Sequence, residues 1–381
     1  MTLVEALVCG RCGRRYAPGD VEYTCPEHDG VTGILDVRYD YERLRDQVDA
    51  VLDGPTDDLW SYEPLLPVDG EGVRLGAGGT DLLDALALGD ALGVDALVKN
   101  ETTNPTGSNK DRGSAVVVSR ARQRDHEVVA CASTGNAAAS LAGYAARADL
   151  ECAYELCREV SADRGWYNRN AAMNPYAVEG KRTLGFELAE QAPAADWVVM
   201  PMGNGCSLAG TWKGLREFER LGVLESTPRM LGVQAEGATA IYDQFVTESE
   251  TVPDGGTGRD TPRSNDEETT ADSIDVGVPH NAGKACRALR ESDGDAVVVS
   301  DEAIREGQRL LGGCEGVFAE PASAAAVAGV RTARERGVVE HGDRVVVVAT
   351  GTGLKDTASA QQAVEDVVTV DVAGDGLPEE L

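Results

Sequence analysis

Asn104-Pro105-Thr106-Gly107-Ser108-Asn109-Lys110-Asp111-Arg112-Gly113 lies between an apolar, strand-like run from Asp95 to Lys99 and a helix-like run from Ser114 to Arg122. A turn-rich loop that follows a strand and opens a helix is where an α/β protein places reactive groups. Lys110 is the candidate here. An amine near a helix start and away from bulk water has a lowered pKa and can act as a Schiff-base nucleophile. The plainer reading is a solvated surface lysine. Composition bears on the choice, because only six of the 35 basic residues are lysines: Lys99, Lys110, Lys181, Lys213, Lys284 and Lys355. Where surface lysine is almost absent, those retained are expected to have specific tasks.

Three further loops repeat the strand–turn–helix pattern. Cys131-Ala132-Ser133-Thr134-Gly135-Asn136 follows the strand Glu127 to Ala130 and runs into a small-residue helix. Met202-Gly203-Asn204-Gly205-Cys206-Ser207 follows an apolar strand, and its glycines let backbone N–H groups crowd an anion at a helix N-terminus. It matches neither the P-loop nor the full dinucleotide fingerprint, so a plain βα turn stays open at this point. Ala349-Thr350-Gly351-Thr352-Gly353-Leu354-Lys355 follows the strand Arg344 to Val348. Alternating strands and helices predict an α/β chain with a doubly wound parallel sheet, whose ligands collect at the carboxyl ends of the strands. A reactive lysine, a Ser-Thr-Gly-Asn turn, a phosphate cradle and a Thr-Gly turn together fit a pyridoxal phosphate site.

This set resembles the fold type II pyridoxal-phosphate enzymes, and within them most the threonine synthases. The resemblance spans nearly the whole chain, from the N-terminal cysteines through Leu65-Leu66-Pro67-Val68 to Lys355-Asp356, and includes Val233-Gln234-Ala235-Glu236-Gly237 and Glu320-Pro321-Ala322-Ser323. It implies two doubly wound parallel-sheet domains. Lys110 would join the cofactor covalently and then shuttle protons at Cα and Cβ. Asn136 would hydrogen-bond the cofactor's 3′ oxygen, and Gly203, Asn204, Gly205, Cys206 and Ser207 would hold its phosphate by backbone N–H groups. Thr350 would meet the pyridine nitrogen, where a hydroxyl in place of a carboxylate makes a milder electron sink. The activity implied is conversion of O-phospho-L-homoserine and water to threonine and phosphate. A homodimer is also implied.

Several positions depart from that pattern. Asn109 stands where the family usually has Phe, Ala77 and Asp81 where it has Glu and Pro, and Ala137 where threonine synthases have Thr. Ala171-Ala172-Met173-Asn174-Pro175-Tyr176-Ala177 replaces Asn-Ser-x-Asn-Pro-x-Arg, whose polar groups help hold the substrate phosphate. After Asp149-Leu150 one βα unit, on the order of 30 residues, is missing from a small subdomain expected over residues 104–178. The alternatives are a β-elimination or β-replacement enzyme acting on serine, threonine or a related amino acid, and a cofactor-binding subunit with little turnover.

The net charge of −30 and pI of about 4.4 argue against nucleic acid as a partner and read as haloadaptation of a cytoplasmic protein. No basic leader precedes an apolar run and no segment has the apolar length of a membrane span. Nine scattered cysteines fit a reduced compartment better than a disulfide framework. Residues 1–41 read as a small separate unit before a catalytic region over 42–381. Within it Cys9-Gly10-Arg11-Cys12 and Cys25-Pro26-Glu27-His28 are two knuckle-like turns resembling half of a zinc ribbon. Cys9, Cys12, Cys25 and His28 suit a tetrahedral structural zinc, and the alternative is a ribbon held by packing alone. Further on, Asp81 to Leu92 reads as a helix, Thr247 to Asp275 as a solvated or disordered acidic loop, and the tail from Val370 as frayed. Glu320 is either near the cofactor or an ordinary helix-start carboxylate.

Overall fold

The computed structural model describes residues 2–28, 32–133, 135–154, 163–250 and 269–363. Near the start, strands β1 (Val4–Cys9), β2 (Arg15–Tyr16) and β3 (Leu35–Tyr39) form an antiparallel sheet in the order β2-β1-β3. The main sheet has six strands: β4 (Leu82–Asp84), β5 (Asp95–Asn100), β9 (Trp197–Pro201), β10 (Arg229–Ala235), β11 (Asp295–Val299) and β12 (Arg344–Ala349). Their order is β11-β10-β9-β12-β5-β4, parallel except for the edge strand β4. A second parallel sheet has the order β7-β6-β8, from β6 (Val128–Cys131), β7 (Glu151–Tyr154) and β8 (Tyr167–Asn168).

The central strand β12, Arg-Val-Val-Val-Val-Ala, shows why the sheet is parallel and covered on both faces. A run of β-branched residues with no polar alternation has no face to offer water, and Val345 to Ala349 are all fully buried. One face packs on the helices Leu86–Leu92, Asp301–Glu315 and Pro321–Glu335; the other packs on Lys110–Gln123, Tyr176–Gln191, Cys206–Leu221 and Ala282–Glu291. Leu7, Leu35, Val37 and Tyr39 of the N-terminal sheet belong to that second cluster, so the N-terminal element shares the main core.

Two sequence expectations are corrected. Asp81 to Leu92 is not one helix: Leu82–Asp84 pairs antiparallel with β5, and the helix occupies Leu86–Leu92 before a left-handed Gly93 (φ 71°). The apolar spacing suited a helix, but pairing with an exposed strand edge prevailed. The stretch Thr247 to Asp275 is not wholly a solvated loop. The helix Ala240–Glu250 enters it and Ala271 and Ile274 are buried, whereas residues 251–268 lie outside the described residues. Outside them too are most of the segment after β7, residues 155–162, and the tail from Val370. Among the described residues no helix is long and apolar enough to cross a membrane.

Beneath the lysine loop lies a fully buried ionic network. Arg112 donates through Nε and Nη2 to Glu101 (both 2.7 Å) and through Nη1 and Nη2 to Glu187 (2.6 and 2.8 Å). Lys99 Nζ reaches Glu187 at 2.7 Å and the Thr80 carbonyl at 2.6 Å. Asn104, early in the loop, donates to Glu101 (3.0 Å) and accepts from the Gly78 N–H (3.0 Å). Burial alone would raise the Glu187 carboxyl, but Arg112 and then Lys99 overcome it and hold it down to about 2.

Removing one partner from such a network strands the others. Arg112→Met is expected to cost about 3–5 kcal/mol, read as a shift of the urea midpoint. An unchanged midpoint would refute the network's role. Because the Glu187 carboxyl is depressed, its stabilising effect is complete above the ordinary carboxylate value of 4.5 and is lost as pH falls toward about 2. The stability gap between the wild type and Glu187→Gln should therefore be constant near neutrality and close across that acid window.

Candidate active site

Lys110 is the first residue of its helix, and the loop before it is pinned to the loop after β12. Asn109 N–H donates to the Thr350 carbonyl (2.9 Å), Thr352 N–H donates to the Gly107 carbonyl (2.9 Å), and Ser108 and Gly351 form an antiparallel bridge. Gly107 adopts φ 77°, and a Cβ there would strike Thr352, so the close approach requires glycine. Lys110 Nζ lies 3.2 Å from Asn109 Oδ1, and Asn109 Nδ2 lies 3.4 Å from Ser207 Oγ. One asparagine thus bridges the amine and the glycine turn after β9. Burial lowers the Lys110 amine below its ordinary value; Glu320 and Cys206 oppose this and Arg169 adds to it.

That glycine turn ends at Gly205 (φ 82°), and the helix Cys206–Leu221 follows at once. Ala209 is the first amide of this turn with a backbone partner, on Gly205 (3.1 Å), which leaves the N–H groups of Cys206, Ser207 and Leu208 as the free donors of a helix start. Asn204 Oδ1 accepts from Asn281 N–H (3.1 Å), and Asn281 Nδ2 donates to the Ala171 carbonyl (2.8 Å). Cys206 Sγ lies 2.7 Å from Lys181 Nζ. Burial raises the thiol, but Lys181 leads a larger effect that leaves it lowered, and burial brings the Lys181 amine down to about 8.

Asn136 opens the helix Asn136–Arg147 after β6; Thr134 of the same turn lies outside the described residues. Its Nδ2 donates to Glu320 Oε2 (2.7 Å) and Ser273 Oγ (3.1 Å), and its Oδ1 accepts from Lys355 Nζ (2.8 Å). Glu320 makes no side-chain cap at its own helix and instead accepts from Asn136 and Ser273. Thr350 is buried with its hydroxyl 3.1 Å from Ser323 Oγ, which also accepts from the Gly351 N–H (2.8 Å). The four loops singled out in the sequence therefore meet. Sequence reasoning missed Ser273, Asn281, Ser323, Arg169 and the part played by Lys181. Two of these carried a signal: Ser323, which lies in the quoted Glu320-Pro321-Ala322-Ser323, and Lys181, one of the six lysines.

A phosphorylated pyridine aldehyde fits these groups. A primary amine with a lowered pKa would take the aldehyde, free helix-start amides would take the phosphate, Asn136 offers an amide for a ring oxygen, and Thr350 with Ser323 offers hydroxyls for a ring nitrogen. A second set lies apart in the N-terminal element. The ligand atoms of Cys9, Cys12, Cys25 and His28 all lie within 4.8 Å of one another. The buried His28 Nε2 has no hydrogen-bond partner, which fits a tetrahedral metal ion. A backbone hydrogen bond from Arg14, then His28, brings the Cys12 thiol down to about 7.

The comparisons agree with this geometry. The pyridoxal-phosphate dependent enzyme family matches residues 73–154 and 153–351, two segments that meet at Ala153–Tyr154. A threonine synthase of Methanocaldococcus jannaschii is 36% identical over 402 residues, covering 95% of this chain and 96% of that protein. One from Mycobacterium bovis is 34% identical over 349 residues, covering 82% and 92%. Among solved structures, threonine deaminase isoform 2 from Solanum lycopersicum superposes with a TM-score of 0.62 at 19% identity, over 92% of this chain and 98% of that one. Maize serine racemase gives a TM-score of 0.59 at 16% identity, over 75% and 92%. On sequence and fold together, the chain belongs to the threonine synthase family of pyridoxal-phosphate-dependent enzymes.

Proposed function

We propose that the chain converts O-phospho-L-homoserine and water to threonine and phosphate, with Lys110 as the proton carrier. One observation carries the reading: Asn109 places the lowered amine of Lys110 beside Ser207 at the free amides of a helix start. When bound, pyridoxal phosphate supplies the electron sink that makes the substrate's Cα–H acidic. The protein's share is placement and proton transfer. The amides of residues 203–207 would hold the cofactor's phosphate. Asn136, fixed by Glu320, Ser273 and Lys355, would orient the ring through its 3′ oxygen, and Thr350 would face the ring nitrogen. Burial favours the neutral amine of Lys110, which can accept the proton from Cα and return it at a neighbouring carbon.

A second reading, β-elimination or β-replacement on serine or threonine, is favoured by Ala137, Ala171, Ala172 and Ala177, whose methyl groups offer a substrate phosphate no hydrogen bond. We also propose a subdomain over residues 104–178 shortened near the point where the two matched segments meet, a haloadapted homodimer in the cytoplasm with no nucleic-acid partner, and structural zinc on Cys9, Cys12, Cys25 and His28.

The purified protein in high salt should show a visible absorption band that borohydride bleaches, and Lys110→Ala should lose it. Phosphate release from O-phospho-L-homoserine should fall in that variant by about 10³-fold or more. Ammonia and a 2-oxoacid from serine or threonine, without phosphate release from O-phospho-L-homoserine, would instead select the second reading. Metal analysis should find one zinc per chain, absent from Cys25→Ser, with the melting temperature lowered by its loss. A fully reduced protein that takes up no zinc would leave the ribbon held by packing alone.

A further inference from the structure

Among the described residues, the three cations with no exposed surface, Lys99, Arg112 and Arg182, each face carboxylates within 2.7 Å. Arg120, at the far end of the Lys110 helix, lies on the ring of Tyr176. Arg169 (3% exposed) and Lys181 (2%) differ, because among the described residues neither makes a salt bridge. Arg169 donates from Nε to Ser114 Oγ and from Nη2 to the Lys110 carbonyl, both at 3.1 Å. A guanidinium carries five N–H groups, so most of its donors are uncommitted. The ammonium of Lys181 meets one sulfur. Burial lowers the Arg169 guanidinium, opposed by the Cys131 and Cys206 thiols and then by the Asp111 carboxylate, which is itself engaged by the Thr106 N–H and hydroxyl. Burying two such charges without a carboxylate partner is costly, and in a chain with 65 acidic residues one was readily available.

Both cations border the site. Arg169 bonds the carbonyl of Lys110 itself, and Lys181 meets Cys206, the first residue of the cradle helix. Ala177 and Lys181 are four residues apart on one helix and share a face. A Cβ on Gly113 would lie 2.8 Å from the Ala177 carbonyl oxygen and 3.7 Å from Arg169 Nη2, so the guanidinium and the start of the Lys181 helix border the same glycine of the Lys110 helix.

We propose that Arg169 and Lys181 form a buried binding site for a phosphate monoester dianion. Two sources share that chemistry: the substrate's side chain, which rests on the reading above, and the cofactor. Arg169 is among the charges that lower the Lys181 amine, so the two cations lie within electrostatic reach of each other, and a dianion can take a charge-assisted hydrogen bond from each.

The experiment measures inorganic phosphate binding to the cofactor-loaded protein by calorimetry, and pyridoxal phosphate binding to the cofactor-free protein by its absorption. The proteins compared are the wild type, Arg169→Gln, Lys181→Met and the conservative Arg169→Lys. If the substrate's phosphate is the occupant, the loaded wild type binds phosphate. The first two variants then weaken this by roughly tenfold or more, raise KM for O-phospho-L-homoserine, and leave cofactor affinity within about twofold. If the cofactor's phosphate is the occupant, the same two variants lower cofactor affinity by roughly tenfold and the loaded protein takes no phosphate. Arg169→Lys should recover part of either loss. Phosphate and cofactor affinities both unchanged in folded Arg169→Gln and Lys181→Met would overturn the proposal. A wild type that binds phosphate but releases none from O-phospho-L-homoserine would remove the threonine synthase reading alone.

Discussion

Arg112, held between Glu101 and Glu187, is the constraint on which the position of Lys110 depends. It lies two residues after Lys110, so whatever fixes its guanidinium fixes the first turn of the helix that presents the amine. Glu101 leaves β5 and Glu187 comes from the helix Tyr176–Gln191, and the planar guanidinium meets both through four hydrogen bonds, with the hydroxyls of Thr183 and Thr80 taking two more. Lys99 balances the second carboxylate, so the buried set carries no net charge. A hydrophobic replacement of similar volume could be as stable, but it would not specify direction in the same way. The ions here fix an orientation, and the chemistry needs an orientation.

The helix Tyr176–Gln191 transmits that constraint through the molecule. Glu187 binds the Arg112 network, Lys181 reaches the cradle, and Glu179 receives Tyr39 (2.8 Å) and Lys213 (2.6 Å). Lys213 and Lys284 also donate to the Val37 and Leu35 carbonyls of β3 (2.7 and 2.8 Å). The N-terminal element is therefore gripped at its edge strand by two lysines that stand on helices of the main body. All six lysines have a polar partner of this kind, so the scarcity that drew attention in the sequence reflects use of lysine inside and at seams of the protein. The acidic surplus is carried mainly by exposed residues.

What could be read in the sequence was local. The lysine loop, the glycine turn and the Thr-Gly turn announce themselves because left-handed glycines and helix starts are set by neighbouring residues. The parallel core was legible in Val345 to Val348 for the same reason. The ionic network was not, because its pairs lie 11, 75 and 88 residues apart and a glutamate in a helix looks alike whether solvated or buried. Ser273 was hidden by its surroundings: it closes an acidic, Gly- and Thr-rich stretch that composition marks as loop, yet it sits on Asn136. Arg169 was not legible, because side-chain charge can reach a site from a position that no local pattern marks.

The short second sheet raised the question of whether its loop could still be positioned for catalysis. Asn136 answers it through its contacts. Its helix grows from β6 in the three-stranded sheet, but the carboxamide is fixed by Glu320, Ser273 and Lys355, all from segments associated with the six-stranded sheet. Three hydrogen bonds from the larger body thus set a group that the smaller one only carries. Loss of a peripheral βα unit would remove surface and packing far from those contacts, and would act on closure around the substrate more than on the geometry of the ring-binding groups. Such a loss would be compatible with an intact ring-binding geometry, and its cost would fall on how well water is kept from the substrate.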